Sequence, residues 1–275
     1  MAGAPRARPR GFLGQHFLSD DNILRRIVDA LEPVSGDLVL EIGAGQGTLT
    51  RELLGRGLRV IAVENDRRLA EQLRIADFGL RQVHVVEADA LRLDWHAVIP
   101  QSAIHNSQWK VIGNIPYYIT TPLIDKALTP PLPERVVFLV QEEVADRIVA
   151  LPGSKTYGAL SVGVQIVARA EKLFTIKPGS FRPPPKVHSA LVRLRPLLAP
   201  LVDHGEIPRL RQFVGACFGM RRKQLRNVIR SVTGRSAPIV AAQLAALGLD
   251  PQVRPEALPP EDFVRLLHWE APPVG

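Results

Sequence analysis

Five short runs, Leu38 to Ile42, Arg59 to Val63, Gln82 to Val86, Trp109 to Ile112 and Arg135 to Val140, alternate with stretches of helical periodicity. Runs of this length that are apolar almost throughout are buried on both faces. Their alternation with helices predicts an α/β fold on a parallel sheet. This architecture limits where chemistry can sit, because ligands of such sheets bind in the crevice beyond the carboxyl ends of the strands. Gly43 and Glu64 directly follow a run, Asn114 lies two residues past the fourth and Asp89 three past the third, so all four are expected to meet in one crevice.

The first run ends in Glu41-Ile42-Gly43-Ala44-Gly45-Gln46-Gly47-Thr48, ahead of a helix around Leu49 to Leu54. Glycines at alternate positions let the chain turn tightly and bring its backbone N–H groups close to a ligand. Two nucleotide-binding classes use a loop of this kind. Nicotinamide enzymes set the pyrophosphate on the next helix and prefer a G-x-G-x-x-G spacing. Here the third glycine arrives one residue earlier and an acid precedes the first, the pattern of S-adenosylmethionine-dependent methyltransferases. Glu41, with Gly43 and Gly45, can then hold the cofactor's amino-acid end. Glu64 can accept both hydroxyls of a ribose in either class. Asp89 can accept the N6 amine of the cofactor's adenine, with Ala90 flanking that ring. The plain alternatives are a structural turn for the glycines and a helix cap for each acid.

The fourth run leads into Gly113-Asn114-Ile115-Pro116-Tyr117-Tyr118. An Asn, a Pro and a Tyr at this spacing can grip a flat ring that carries an exocyclic amine. The Asn114 side-chain oxygen accepts one N–H, and the carbonyl of Ile115 or Pro116 accepts the other. Tyr117 supplies a face for stacking. If the ring is adenine, the loop presents N6 to an electrophile. A strand-end turn is the simpler reading of Asn and Pro alone.

A formal charge of +8 over 275 residues favours a polyanionic partner. Between Arg209 and Arg235 stand eight basic residues and no acidic one. There, Leu225, Val228, Ile229 and Val232 form an apolar helix face, which leaves Arg222, Lys223, Arg226 and Arg230 on the other side. Together with Arg221 these are the expected RNA contacts. The single cysteine, Cys217, excludes an internal disulfide and a cysteine-rich zinc site, and fits the reducing cytoplasm. No apolar run approaches the roughly 20 residues of a membrane span. Met1 to Arg10 carries Arg6, Arg8 and Arg10 among prolines with no apolar core, so residues 1–13 read as a basic, disordered tail rather than a signal peptide.

Further strands are expected at Val164 to Ala168 and Val187 to Leu194, around the proline-rich Phe181 to Lys186, with a linker at Pro196 to Pro208. Helical patterns follow at Leu210 to Phe218, Arg221 to Val232, Ile239 to Leu247 and Pro260 to Leu267. The resulting division is a sheet domain over 14–199 and a small all-helical domain over 200–275.

Gly14-Gln15-His16-Phe17-Leu18, Glu41 to Gly47, Asn114 to Tyr117, Lys155 to Ser161 and Phe181 to Leu194 together resemble the ribosomal RNA adenine N6,N6-dimethyltransferases, most of all their bacterial small-subunit branch. The resemblance implies a Rossmann-like, S-adenosylmethionine-dependent methyltransferase domain followed by a helical domain. It also implies dimethylation of two adjacent adenosines near the 3′ end of small-subunit rRNA during ribosome assembly. A monomer is expected, and the sequence offers no metal cluster, nor does the chemistry need one. The family's cofactor contacts fall on His16, Leu18, Gly43, Glu64, Asp89 and Asn114, with His16 where many members carry Asn. Asn114, Pro116 and Tyr117 become the catalytic loop, and Tyr117 or Phe181 the surface on which the displaced base stacks. Three other readings compete: a large-subunit methyltransferase of the antibiotic-resistance type, a non-catalytic assembly or transcription factor on the same fold, and a nicotinamide oxidoreductase.

Overall fold

The computed structural model describes residues 16–76, 78, 83–105 and 108–270. The basic tail, Gly14, Gln15 and Gln82 lie outside the described residues. A seven-stranded sheet has the order β4-β3-β2-β5-β6-β9-β7. Its strands are β2 (Leu38–Ile42), β3 (Arg59–Glu64), β4 (Val83–Glu87), β5 (Trp109–Asn114), β6 (Arg135–Gln141), β7 (Ala168–Ile176) and β9 (Ser189–Pro196). The first five pair in parallel, and β9 runs antiparallel between β6 and β7. A separate two-stranded ribbon joins β1 (Phe17–Leu18) to β8 (Phe181–Arg182).

The helices in chain order are α1 (Asp21–Asp29), α2 (Thr48–Gly55), α3 (Arg67–Ile75), α4 (Trp95–Val98), α5 (Gln101–His105) and α6 (Thr120–Ala127). They continue as α7 (Glu142–Ile148), α8 (Ala159–Gln165), α9 (Ile207–Gly219), α10 (Leu225–Thr233), α11 (Ala237–Ala246) and α12 (Pro260–Glu270). Asp20 starts α1 by accepting the N–H groups of Asn22 and Ile23. Side chains alternate across the sheet. Val39, Ile112 and Val137 pack on the α1 and α2 side, while Leu40, Val111 and Phe138 face the layer that carries α6 and α8.

The strand expected at Val164 to Ala168 is instead the end of α8 and a turn, with β7 starting at Ala168. Leu160 to Val164 are all buried, so this stretch has no exposed face, and its sequence does not reveal a helical period. The same apolar cluster runs from Leu40 and Val164 through Leu210, Phe213 and Val228 to Phe263, so the C-terminal helices share their core with the sheet layer. Tyr157, only 1% exposed, bolts the two parts together: its hydroxyl donates to the Leu258 carbonyl at 2.9 Å and its ring meets Phe218 edge-on. Cys217 is buried in this core.

Candidate active site

The sheet order reverses between β2 and β5, and the site opens at that point. The carboxyl ends of β2, β3 and β5 are locked in register, with Ile42 opposite both Val63 and Gly113. Close approach of β5 to β2 requires glycine at 113, where a Cβ would lie 2.6 Å from the Ile42 carbonyl oxygen. Gly45 has φ +58°, and a Cβ there would meet the Phe17 ring at 2.9 Å. Phe17 therefore packs directly on the glycine loop. A cleft of about 220 Å³ results, lined by His16, Gly43, Gly45, Glu64, Asp89, Ala90, Asn114, Pro116 and Tyr117 among others.

The Glu64 carboxylate is 4% exposed, and each of its oxygens accepts one backbone N–H at 2.8 Å, from Gly45 and from Asp66. Each oxygen keeps a lone pair, so the group is fixed and can still accept the two hydroxyls of a vicinal diol. Asp89 accepts the Leu91 N–H at 2.9 Å, leaving its other oxygen near Arg92 at 3.8 Å. Ala90 is held by Trp95, whose indole N–H donates to its carbonyl at 2.8 Å. Glycines, diol acceptor and flanking carboxylate together fit an adenosyl group.

Across the cleft, the Asn114 side-chain nitrogen donates to the His16 carbonyl at 2.7 Å. That bond fixes the amide, and among the described residues nothing donates to its oxygen. Pro116 directs its carbonyl to the Ile119 N–H at 3.1 Å, whereas the Ile115 carbonyl has no partner among the described residues. Of the two carbonyls left open by the sequence, Ile115 is the free one. The His16 imidazole donates from Nδ1 to the Pro183 carbonyl at 2.7 Å and lies beside Tyr117, ring centroids 6.2 Å apart.

Three expected residues sit elsewhere. Phe181, proposed as a stacking surface, is 2% exposed, because β8 pairs with β1 and turns the ring into the core among Leu18 and Leu191. It has no open face for a base. Leu18 and Glu41 line only a small recess behind the glycine loop, not the main cleft. Glu41 is 1% exposed and accepts the Thr50 hydroxyl at 2.6 Å; burial pushes its carboxyl up to about 7, with the nearby Glu64 adding to the rise.

The basic cluster also differs from its sequence pattern. Arg221, Arg222 and Lys223 lie in the turn before α10, and only Arg226 and Arg230 stand on the helix. Arg221 is paired with Glu256 at 2.7 Å and Arg211 with Asp125 at 2.8 Å, acids brought in from distant segments. Arg222, Lys223, Arg226 and Arg230 are exposed and make no ion pair among the described residues. Asn65 and Tyr118, which no motif in the sequence marks out, also line the cleft. Asn65 was accessible to the strand-end rule, since it directly follows Glu64. Among the described residues no cluster of metal-ligating side chains occurs, and no helix is long and apolar enough to cross a membrane.

A doubly wound sheet with a glycine loop, a buried carboxylate fixed at the end of β3 and an Asn-Ile-Pro-Tyr loop at the switch point is that of a Rossmann-like methyltransferase. The chain belongs, more narrowly, to the ribosomal RNA adenine dimethylase family, whose model matches residues 6–271. It is 42% identical over 257 residues to the ribosomal RNA small subunit methyltransferase A of Hahella chejuensis, covering 93% of this chain and 90% of that one. The protein of the same name from Thermosynechococcus vestitus is 43% identical over 273 residues, covering 95% and 96%. Among solved structures, a dimethyladenosine transferase from Plasmodium falciparum superposes with TM-score 0.78 at 28% identity, over 92% of this chain and 97% of that one. The 23S rRNA methyltransferase ErmE gives 0.70 at 30% identity, over 92% and 98%.

Proposed function

We propose that this chain dimethylates the N6 amines of two adjacent adenosines near the 3′ end of small-subunit rRNA, acting as a cytoplasmic monomer on the assembling subunit. The carrying observation is the pair of acceptors at the cleft: the Asn114 Oδ1, fixed by the bond from Nδ2 to His16, and the unpartnered Ile115 carbonyl. When bound, S-adenosylmethionine supplies a sulfonium methyl as the electrophile. Gly43, Gly45, Glu64, Asp89 and Ala90 would hold it, opposite the acceptor loop. Adenine's amine is a poor nucleophile because its lone pair is delocalised into the ring. Two acceptors on its N–H groups favour a pyramidal nitrogen whose lone pair points away from them, so the protein's work is positioning. Tyr117 supplies the stacking face for the displaced base, and the exposed cations around α10 supply phosphate contacts.

Identities of 42% and 43% to small-subunit enzymes, against 30% to ErmE, favour the small-subunit substrate over the large-subunit alternative. An intact acceptor loop and diol acceptor disfavour a purely binding role. The test is to map dimethyladenosine in small-subunit rRNA from cells with and without this protein. Loss of the modification without it supports the reading; no difference refutes it.

A further inference from the structure

Ser189 is one of the few polar side chains of the structure with no solvent exposure at all. It begins β9, opposite Gln141 of β6 on one side and Ile176 of β7 on the other, so two ladders fix its backbone. Its hydroxyl meets the Tyr117 phenol at 2.8 Å, the one side-chain hydrogen bond of either group among the described residues. The strand end is anchored further out. The His188 carbonyl accepts the Glu142 N–H at 3.0 Å, and its imidazole lies 3.2 Å from the Glu142 carboxylate. That carboxylate is held in turn by Lys172 at 2.9 Å and Thr175 at 2.8 Å.

We propose that Ser189 is a positioning residue of the acceptor loop: its hydroxyl holds the Tyr117 phenol and so fixes the ring against which the target base stacks. The inference rests on reading the cleft as an adenine-accepting site. The Ile119 N–H donates to the Pro116 carbonyl and the Thr120 hydroxyl to the Tyr117 carbonyl, which secures the loop itself but leaves the far end of the Tyr117 ring unheld. The swing of the ring about χ1 is stopped at its far end by Ser189, while His16 lies along one side and limits its tilt. None of the groups on the cofactor side touches this bond, so its loss should slow transfer without weakening cofactor binding.

The experiment compares wild type, Ser189→Ala, Tyr117→Phe and the double variant, measuring kcat on small-subunit particles that lack the modification and, separately, the cofactor Kd. Loss of one neutral hydrogen bond predicts a fall in kcat of about fivefold in each single variant. The double variant should fall no further than either single, Ser189→Thr should recover the rate, and the cofactor Kd should stay at the wild-type value. Losses that multiply in the double variant, or a wild-type kcat for Ser189→Ala, overturn the proposal. Should Ser189→Ala not fold, Tyr117→Phe removes the bond from the loop side, and a wild-type kcat there overturns it equally. If the wild type itself methylates no such particle, the functional reading fails instead. Crystals then decide the inference: the Tyr117 ring loses its single orientation in Ser189→Ala if the proposal is right and keeps it if wrong.

Discussion

The side-chain nitrogen of Asn114 donates to the main-chain carbonyl of His16 at 2.7 Å, across 98 residues of sequence. This bond engages the amide nitrogen and leaves Oδ1 without a donor among the described residues. Asn114→Ala removes the free acceptor and the brace on the segment at His16 together. Misplacement of reacting groups by about 1 Å costs on the order of 100-fold, so transfer should fall at least that far while cofactor binding persists in part. Near-normal methylation of small-subunit particles by this variant would contradict the assignment.

His16→Asn gives a milder expectation. Asn114 uses the backbone of residue 16, which the substitution leaves in place. What changes is the imidazole bond to the Pro183 carbonyl and the ring beside Tyr117. Turnover should stay within about fivefold of wild type, the scale of one neutral hydrogen bond. A loss of 100-fold in steady-state kcat would mean that the imidazole acts directly.

Glu41 predicts a pH effect on stability. Its folded carboxyl is raised from 4.5 to about 7 by burial, so the folded state holds this proton more tightly than the unfolded chain does. The contribution is fully present below about pH 4.5 and is lost as pH rises through 7. Unfolding of wild type and Glu41→Gln in denaturant at pH 4.5, 6 and 8 isolates it. The stability difference, wild type minus variant, should fall with rising pH by on the order of 3 kcal/mol. A pH-independent difference would show that the carboxyl ionises normally.

Phe181 separates packing from stacking. Phe181→Ala should destabilise the fold by about 3–5 kcal/mol, read from the denaturation midpoint. Phe181→Leu, which keeps an apolar side chain in the core, should retain kcat within a few-fold. A large activity loss in a stably folded Phe181→Leu chain would restore the ring as a substrate contact.

Around α10, ion pairs sort the cations proposed to meet RNA phosphates. Replacing Arg226 or Arg230 by Ala should reduce the salt slope of RNA affinity by roughly 0.7–0.9 per residue. Arg221→Ala should change the slope little, because Glu256 already neutralises that guanidinium. Equal slope changes for Arg221 and Arg226, measured by binding across a salt series, would dismiss the distinction.

The strands from Leu38 to Val140, the glycine loop and the convergence of Gly43, Glu64, Asp89 and Asn114 were legible in the sequence. Each depends on local order: an apolar run makes a strand, and strand order in a parallel sheet sets which loops share an edge. Strand period and loop chemistry carry that information within a few residues. Other assignments turned on partners from far along the chain. Leu160 to Val164 show no helical period because α9 and the sheet layer bury the faces that would otherwise be exposed. Phe181 is buried because β8 pairs with β1, more than 160 residues earlier in the chain. Arg221 loses its free charge to Glu256, and the Tyr117 ring is held by Ser189, 72 residues later. Local pattern decides what each segment becomes, but burial and hydrogen bonding depend on what packs against it, and only the tertiary structure supplies that.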